Sequence, residues 1–186
     1  YGSMPPGGMV NIIAKAPKFE ESTKIGLATG LDNLVEASID TTGALSDNVA
    51  YRLVALGRKK DTQVDGVEEE RYVIAPSIDW YVSDKTFINF NLYYQNDPAL
   101  GQNVTLPLAA IESGKVSPST FAGDVNYNTI KRDFLITGYK FNHDFNSNWA
   151  FLQNFRYMKT DFYQESTSSG NFDVSTGSLA RSAYST

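Results

Sequence analysis

Arg71-Tyr72-Val73-Ile74-Ala75-Pro76-Ser77-Ile78-Asp79-Trp80-Tyr81-Val82 is the stretch that decides the fold. Its even positions are Tyr72, Ile74, Pro76, Ile78, Trp80 and Val82, all apolar, with an aromatic near each end. Its odd positions, from Arg71 through Ser77 and Asp79 to Tyr81, are mixed and polar. Side chains of a strand alternate between two faces, so one face is apolar throughout and the other is wet. A strand set between lipid and an aqueous lumen has this composition. Pro76 breaks the rule for an inner strand, because proline cannot donate to a ladder, and it predicts an edge or a bulge.

The same scheme recurs on both sides. Ile88, Phe90, Leu92 and Tyr94 oppose Asn89, Asn91, Tyr93 and Gln95, with only Ser83-Asp84-Lys85 before them, which predicts a tight hairpin. Leu135, Thr137, Tyr139 and Phe141 lead through Asn146-Ser147-Asn148 to Trp149, Phe151, Phe155 and Tyr157. Ala37 and Ile39 lead through Ser46-Asp47-Asn48 to Tyr51, Leu53 and Ala55, and a shorter strand from about Lys24 to Gly30 precedes them. The reading gives seven strands. Tight turns near 47, 84 and 147 alternate with a polar link near 60–70, a long one over 97–131 and a polar tail from about 164. Short links on one side and long ones on the other are the rule of outer-membrane barrels. The fold class expected is therefore all-β, an antiparallel transmembrane β-barrel seen in part. An open sheet in lipid would leave backbone groups unpaired, so further strands are expected beyond residue 186, and an export signal upstream of residue 1.

Composition narrows the function. The net charge is −5 with a sequence pI near 4.9, which offers no basic stripe to a phosphate backbone, so nucleic acid is not expected as a partner. There is no cysteine, hence no thiolate metal site or cysteine nucleophile. No serine, histidine and acid arrangement suggests catalysis, and the chain is not read as an enzyme. The one histidine, His143, stands beside Asp144 just before a tight turn, on the apolar parity. It is read as a surface or interfacial group, since metal sites need several converging ligands, and no metal or cofactor is expected. Glu68-Glu69-Glu70 reads as a solvated charge run in a loop, and Asn103-Val104-Thr105 as a chance sequon. Arg52, Arg58 and Arg156 share the wet parity and are expected to pair with carboxylates such as Asp40 and Asp79.

The first seventeen residues, Tyr1-Gly2-Ser3-Met4-Pro5-Pro6-Gly7-Gly8-Met9-Val10-Asn11-Ile12-Ile13-Ala14-Lys15-Ala16-Pro17, add a second signal. Pro5-Pro6-Gly7-Gly8 is a stiff turn followed by positions free to take positive φ, and Met9 to Ala14 reads as a strand after it. This segment resembles the end of the plug domain of TonB-dependent siderophore receptors. The resemblance continues through Glu69-Glu70-Arg71-Tyr72-Val73-Ile74-Ala75-Pro76, Tyr94-Gln95-Asn96-Asp97-Pro98 and Gln153-Asn154-Phe155-Arg156, and is nearest to the hydroxamate type. It implies a plug end over 1–18, the first part of the barrel over 19–186, and a full barrel of about twenty-two strands closed by the plug. It also implies import of a ferric siderophore driven by the TonB complex of the inner membrane, with iron carried only as substrate. In the family, the loop equivalent to 97–108 lines the siderophore pocket with aromatics before a Leu-Pro. Here Leu106-Pro107 remains, but Gln102-Asn103-Val104-Thr105 stands where the aromatics would be, so Gln102, Asn103, Thr105 and Leu106 are the candidate substrate contacts. Amides and hydroxyls hydrogen-bond a polar ligand but cannot form a flat apolar wall. The alternative is a passive porin or an adhesin barrel, which needs neither plug nor energy input.

Overall fold

The computed structural model describes residues 14–101 and 104–186. It is a single sheet of eight antiparallel strands, each hydrogen-bonded to its neighbours in chain order. The strands are β1 Ser22–Thr29, β2 Val35–Ser46, β3 Val49–Asp61, β4 Glu68–Ser83, β5 Thr86–Leu100, β6 Thr129–Asn146, β7 Trp149–Asp173 and β8 Ser178–Ser185. One short helix, α1 Leu108–Glu112, sits in the link between β5 and β6. The plug-turn residues Pro5, Pro6, Gly7 and Gly8 lie outside the described residues.

The expected parity holds, and exposure assigns its direction. Tyr72, Ile74, Ile78 and Trp80 are each at least 40% exposed, whereas Asp79 on the opposite parity is 7% exposed. A soluble sandwich buries its apolar parity, but this sheet shows the apolar parity to its surroundings and crowds the polar one. Register carries the apolar face across the sheet. Ile25, Ile39, Ala55, Ile74, Tyr94 and Leu135 form one row, each the direct partner of the next. The inner face is less uniform than expected. Val54, Leu56, Val73, Tyr93, Phe134 and Ile136 form an apolar band there, with Tyr93 and Phe134 packed edge to face at 6.1 Å.

Turn lengths also sort as expected. The links 47–48, 84–85 and 147–148 have two residues each, while the other end carries 30–34, 62–67, 101–128 and 174–177. No residue of the two-residue turns takes positive φ. Each instead follows a one-residue register shift, at Leu45, Val82 and Phe145, which turns the strand end. Short polar side chains complete these turns: Asn146 Oδ1 accepts from the amides of Asn148 (3.0 Å) and Trp149 (3.1 Å), and Ser83 Oγ accepts from that of Lys85 (3.3 Å).

Three sequence expectations need correction. There are eight strands and not seven, because the polar tail from 164 continues β7 to Asp173 and returns as β8. That hairpin stands where both faces are wet, so no apolar alternation marks it, and backbone pairing with contacts such as Ser168 to Ser182 (2.7 Å) defines it instead. Glu68-Glu69-Glu70 is not a loop but the start of β4, where Lys59 and Lys60 across the ladder pair with Glu68 (2.8 Å) and Glu69 (3.1 Å). Pro76 lies in an inner strand and not at an edge. The β4–β5 ladder steps from Ile74–Tyr94 directly to Ser77–Asn91, so the two intervening pairs are lost where the proline has no N–H to give.

Candidate functional site

The chain entering β1 lies on the inner face. Lys15 Nζ meets Asp40 Oδ2 at 2.8 Å, Arg52 Nη1 donates to Ala16 O at 3.0 Å, and the Lys18 amide donates to Thr42 Oγ1 at 2.8 Å. Phe19 packs on Tyr81, which packs on Phe87, with centroids 5.7 and 5.0 Å apart. These partners all belong to the inner parity, so residues 15–19 run along the lumen side of the wall.

Inner-face charges are matched within the sheet. Arg52 pairs with Asp40 as expected from the sequence. Arg58 pairs with Glu36 and not with either expected aspartate, because Glu36 is its direct register partner. Asp79 takes a hydrogen bond from Asn89 Nδ2 at 2.6 Å, and Arg156 has no ion pair among the described residues. The network that sequence reading missed is Arg71–Asp97–Arg132, spanning β4, β5 and β6. Asp97 precedes Pro98 at a register shift between Glu70 and Tyr72, where β5 carries an extra residue. Pro98, three residues beyond Gln95 on the wet parity, was the signal for that bulge. His143 donates or accepts at Thr86 Oγ1 (2.9 Å) on the outward parity and meets Phe145 edge-on at 4.7 Å, near the tight turns.

The long-link end holds the candidate site. The link 101–128 leaves β5 at Gly101, whose φ of +60° places the turn in the region that favours glycine. It is fastened to the β3–β4 turn, where the Asp65 amide donates to Ser119 O (2.8 Å) and Ser119 Oγ to Asp65 Oδ2 (2.9 Å). On the other side it is tied to β7 and its turn: the Asp124 amide donates to Thr167 Oγ1 (3.0 Å), Lys115 Nζ to Val174 O (2.6 Å), and Ser169 Oγ to Thr105 O. The loop is thus braced at both flanks.

Between it and β3–β4 opens a cleft of about 510 Å³. Thr105 and Leu106, two of the four expected substrate contacts, line it; Gln102 and Asn103 lie outside the described residues. Val104, Ile111 and Pro118 add apolar surface, and Asp32, Lys60, Asp61 and Glu69 add charge. Three carboxylates against one amine give the cleft a negative balance. Lys60 is committed to Glu69 at 3.1 Å, and Asp61 accepts from Asn33 Nδ2 at 2.5 Å. Sequence reading found the loop and missed its facing wall, because Asp32, in the β1–β2 link, and Asp61, at the end of β3, lie far away in the chain.

An outward apolar face, a wet inner face and links sorted by length define the wall of an outer-membrane β-barrel. No family model matches the chain. The chain is 34% identical over 172 residues to the ferrichrome outer membrane transporter/phage receptor of Escherichia coli strain K12, covering 89% of this chain and 23% of that one. It is 34% identical over 174 residues to the ferrioxamine receptor of Yersinia enterocolitica, covering 93% of this chain and 24% of that one. Its fold matches the crystal structure of the ferric-catecholate import receptor Fiu from E. coli K12 with a TM-score of 0.82 at 21% identity, over 100% of this chain and 29% of the other. The chain spans about a quarter of the length of the curated relatives it matches. In sequence and fold the chain resembles part of the TonB-dependent siderophore receptors of the outer membrane, and the relatives are named as receptors and transporters.

Proposed function

We propose that this chain is part of a receptor that imports a ferric siderophore of the hydroxamate type, with energy delivered by the TonB complex. The carrying observation is the cleft beneath the braced loop, which has hydroxyls and amides for orientation and an excess of carboxylates. A ferric trihydroxamate is uncharged overall, whereas a ferric tris-catecholate holds surplus negative charge, which three carboxylates at the entrance repel. The 34% identity to receptors named for ferrichrome and ferrioxamine supports the same choice over catecholate receptors, at 26%.

In this reading Thr105 and Leu106 touch the ligand from one side, together with Gln102 and Asn103, while the β3–β4 turn faces them. Residues 1–18 are the end of the plug and 19–186 the barrel, a division supported by the course of residues 15–19 along the inner wall. The test is uptake of ferrichrome and ferrioxamine B by cells whose only siderophore receptor is the full-length protein. Uptake is expected with TonB and lost without it. Equal uptake in a TonB-null strain would favour a passive porin instead.

A further inference from the structure

Asp97 stands where β5 parts from β6. It is the last residue of β5 paired with β6, opposite Arg132, whereas the β4–β5 ladder runs on through Glu70–Ala99 and Glu69–Leu100. Between Tyr72–Asn96 and Glu70–Ala99 that ladder sets Arg71 alone against Asp97 and Pro98, so the bulge falls at the same point. A bulge bends its strand, and Pro98 brings no N–H to carry the pairing onward. A groove of about 310 Å³ lies beyond it, with 98–101 and 128–131 among its walls.

One buried carboxylate spans this fork. Asp97 is 0% exposed. Its Oδ1 accepts from Arg71 Nε of β4 at 2.7 Å, and its Oδ2 from Arg132 Nε and Nη2 of β6 at 3.0 and 2.6 Å. Gln95 Nε2 adds a bond to Oδ2 at 2.7 Å, and Tyr93 Oη donates in turn to Gln95 Oε1 at 2.5 Å. Buried charge-assisted bonds of this kind fix geometry, because breaking one leaves a charge without its partner.

The cleft begins just past the fork. Leu100 pairs with Glu69, and Gly101 takes φ +60°; a Cβ there would stand 2.5 Å from Glu69 Cγ and 3.1 Å from Thr62 Cγ2. Thr62, Glu69 and Gly101 line the cleft together with Thr105 and Leu106, whereas Arg71, Asp97 and Arg132 do not. The ties that brace the link act at Thr105 and beyond, so Pro98 to Gly101 are placed by β4 and by the fork. A swing of this exit toward β6 carries Gly101 off Glu69 and widens the cleft.

We propose that Asp97 is a positioning residue for ligand binding: by holding Arg71 and Arg132 across the fork, it fixes the direction in which the chain leaves β5 and with it the width of the cleft. The inference rests on the cleft being the ligand site.

Fluorescence quenching of the full-length receptor in detergent, by ferrioxamine B or ferrichrome, whichever binds more tightly, reads affinity, and urea unfolding reads stability. In Asp97→Asn an amide N–H faces the arginine donors, and affinity is expected to fall about tenfold as the preformed cleft loosens. Asp79→Asn, at a buried aspartate toward the far end of β4, is expected to leave affinity unchanged whatever it costs in stability. A Glu70→Cys/Ala99→Cys pair, at direct register partners beyond the bulge, should restore the affinity of Asp97→Asn when oxidised and lose that gain when reduced. If Asp97→Asn does not fold, Arg132→Gln, which frees only the β6 side, carries the same expectation. Unchanged affinity in the folded variant, an equal loss in Asp79→Asn, or a loss that the oxidised cysteine pair leaves in place overturns the proposal. A wild-type receptor that binds neither siderophore overturns the reading of the cleft, and the proposal with it.

Discussion

Arg52 grips Asp40 with two parallel bonds, Nε to Oδ1 and Nη2 to Oδ2, both 2.8 Å, while its remaining nitrogen holds the Ala16 carbonyl. The two side chains are 13% and 14% exposed, so the pair joins neighbouring strands β2 and β3 and fastens the entering chain to the wall. Asp40→Ala leaves Arg52 with its charge unmatched and is expected to cost about 1–2 kcal/mol in the intact receptor, the low end for a paired charge with residual solvent access. Urea unfolding in detergent measures the cost. Limited proteolysis should show faster cutting within 14–21, and unchanged cutting there would separate the pair from the anchoring of this segment.

The apolar parity is expected to meet hydrocarbon. Ile78→Lys should lower stability by about 2–4 kcal/mol if it lies near the bilayer midplane, whereas Ser77→Lys, one residue away on the lumen parity, should cost far less. Folding titrations into phospholipid vesicles compare the two. Equal costs, or labelling from within the bilayer that marks Ser77 and Asp79 in place of Ile74, Trp80 and Phe90, would count against the orientation.

Cleft charge should set ligand choice. Asp61→Asn and Glu69→Gln each remove a negative charge and are expected to improve binding of a ferric catecholate several-fold at low salt, with little effect on a neutral ferric trihydroxamate. Fluorescence quenching against both ligands reads the ratio. Alanine at both Gln102 and Asn103 should weaken the hydroxamate by about thirtyfold if each gives one hydrogen bond of roughly 1 kcal/mol. Unchanged affinity would remove those two residues from the site.

Pro76 opens a gap in the β4–β5 ladder between its two register shifts. Pro76→Val restores an N–H and keeps an apolar side chain on the outward face. Because an unpaired backbone group in lipid costs several kcal/mol, the variant is expected to gain about 1 kcal/mol or more, even after the unfolded chain recovers the freedom that proline removes. Equilibrium unfolding in vesicles gives the sign; a loss would mean that the gap relieves strain elsewhere in the sheet.

Alternation at Arg71 to Val82 and Phe87 to Asn96 fixed the class of this protein before any coordinates, because lipid on one side and water on the other impose opposite chemistry on adjacent residues. The tight turns were equally legible from Asp47-Asn48, Asp84-Lys85 and Ser147-Asn148, where short polar side chains complete the turn locally. Sequence failed where neither face meets lipid. β8 and the upper half of β7 carry serines and threonines on both parities, so only pairing reveals them, and Glu68-Glu69-Glu70 became strand because Lys59 and Lys60 wait across the ladder. The cleft and the Arg71–Asp97–Arg132 network were decided by tertiary structure alone. Register brings 71, 97 and 132 side by side across three strands, and residues 32, 61 and 105 meet at one end of the sheet; such adjacency is a property of strand pairing, which no local window of sequence contains.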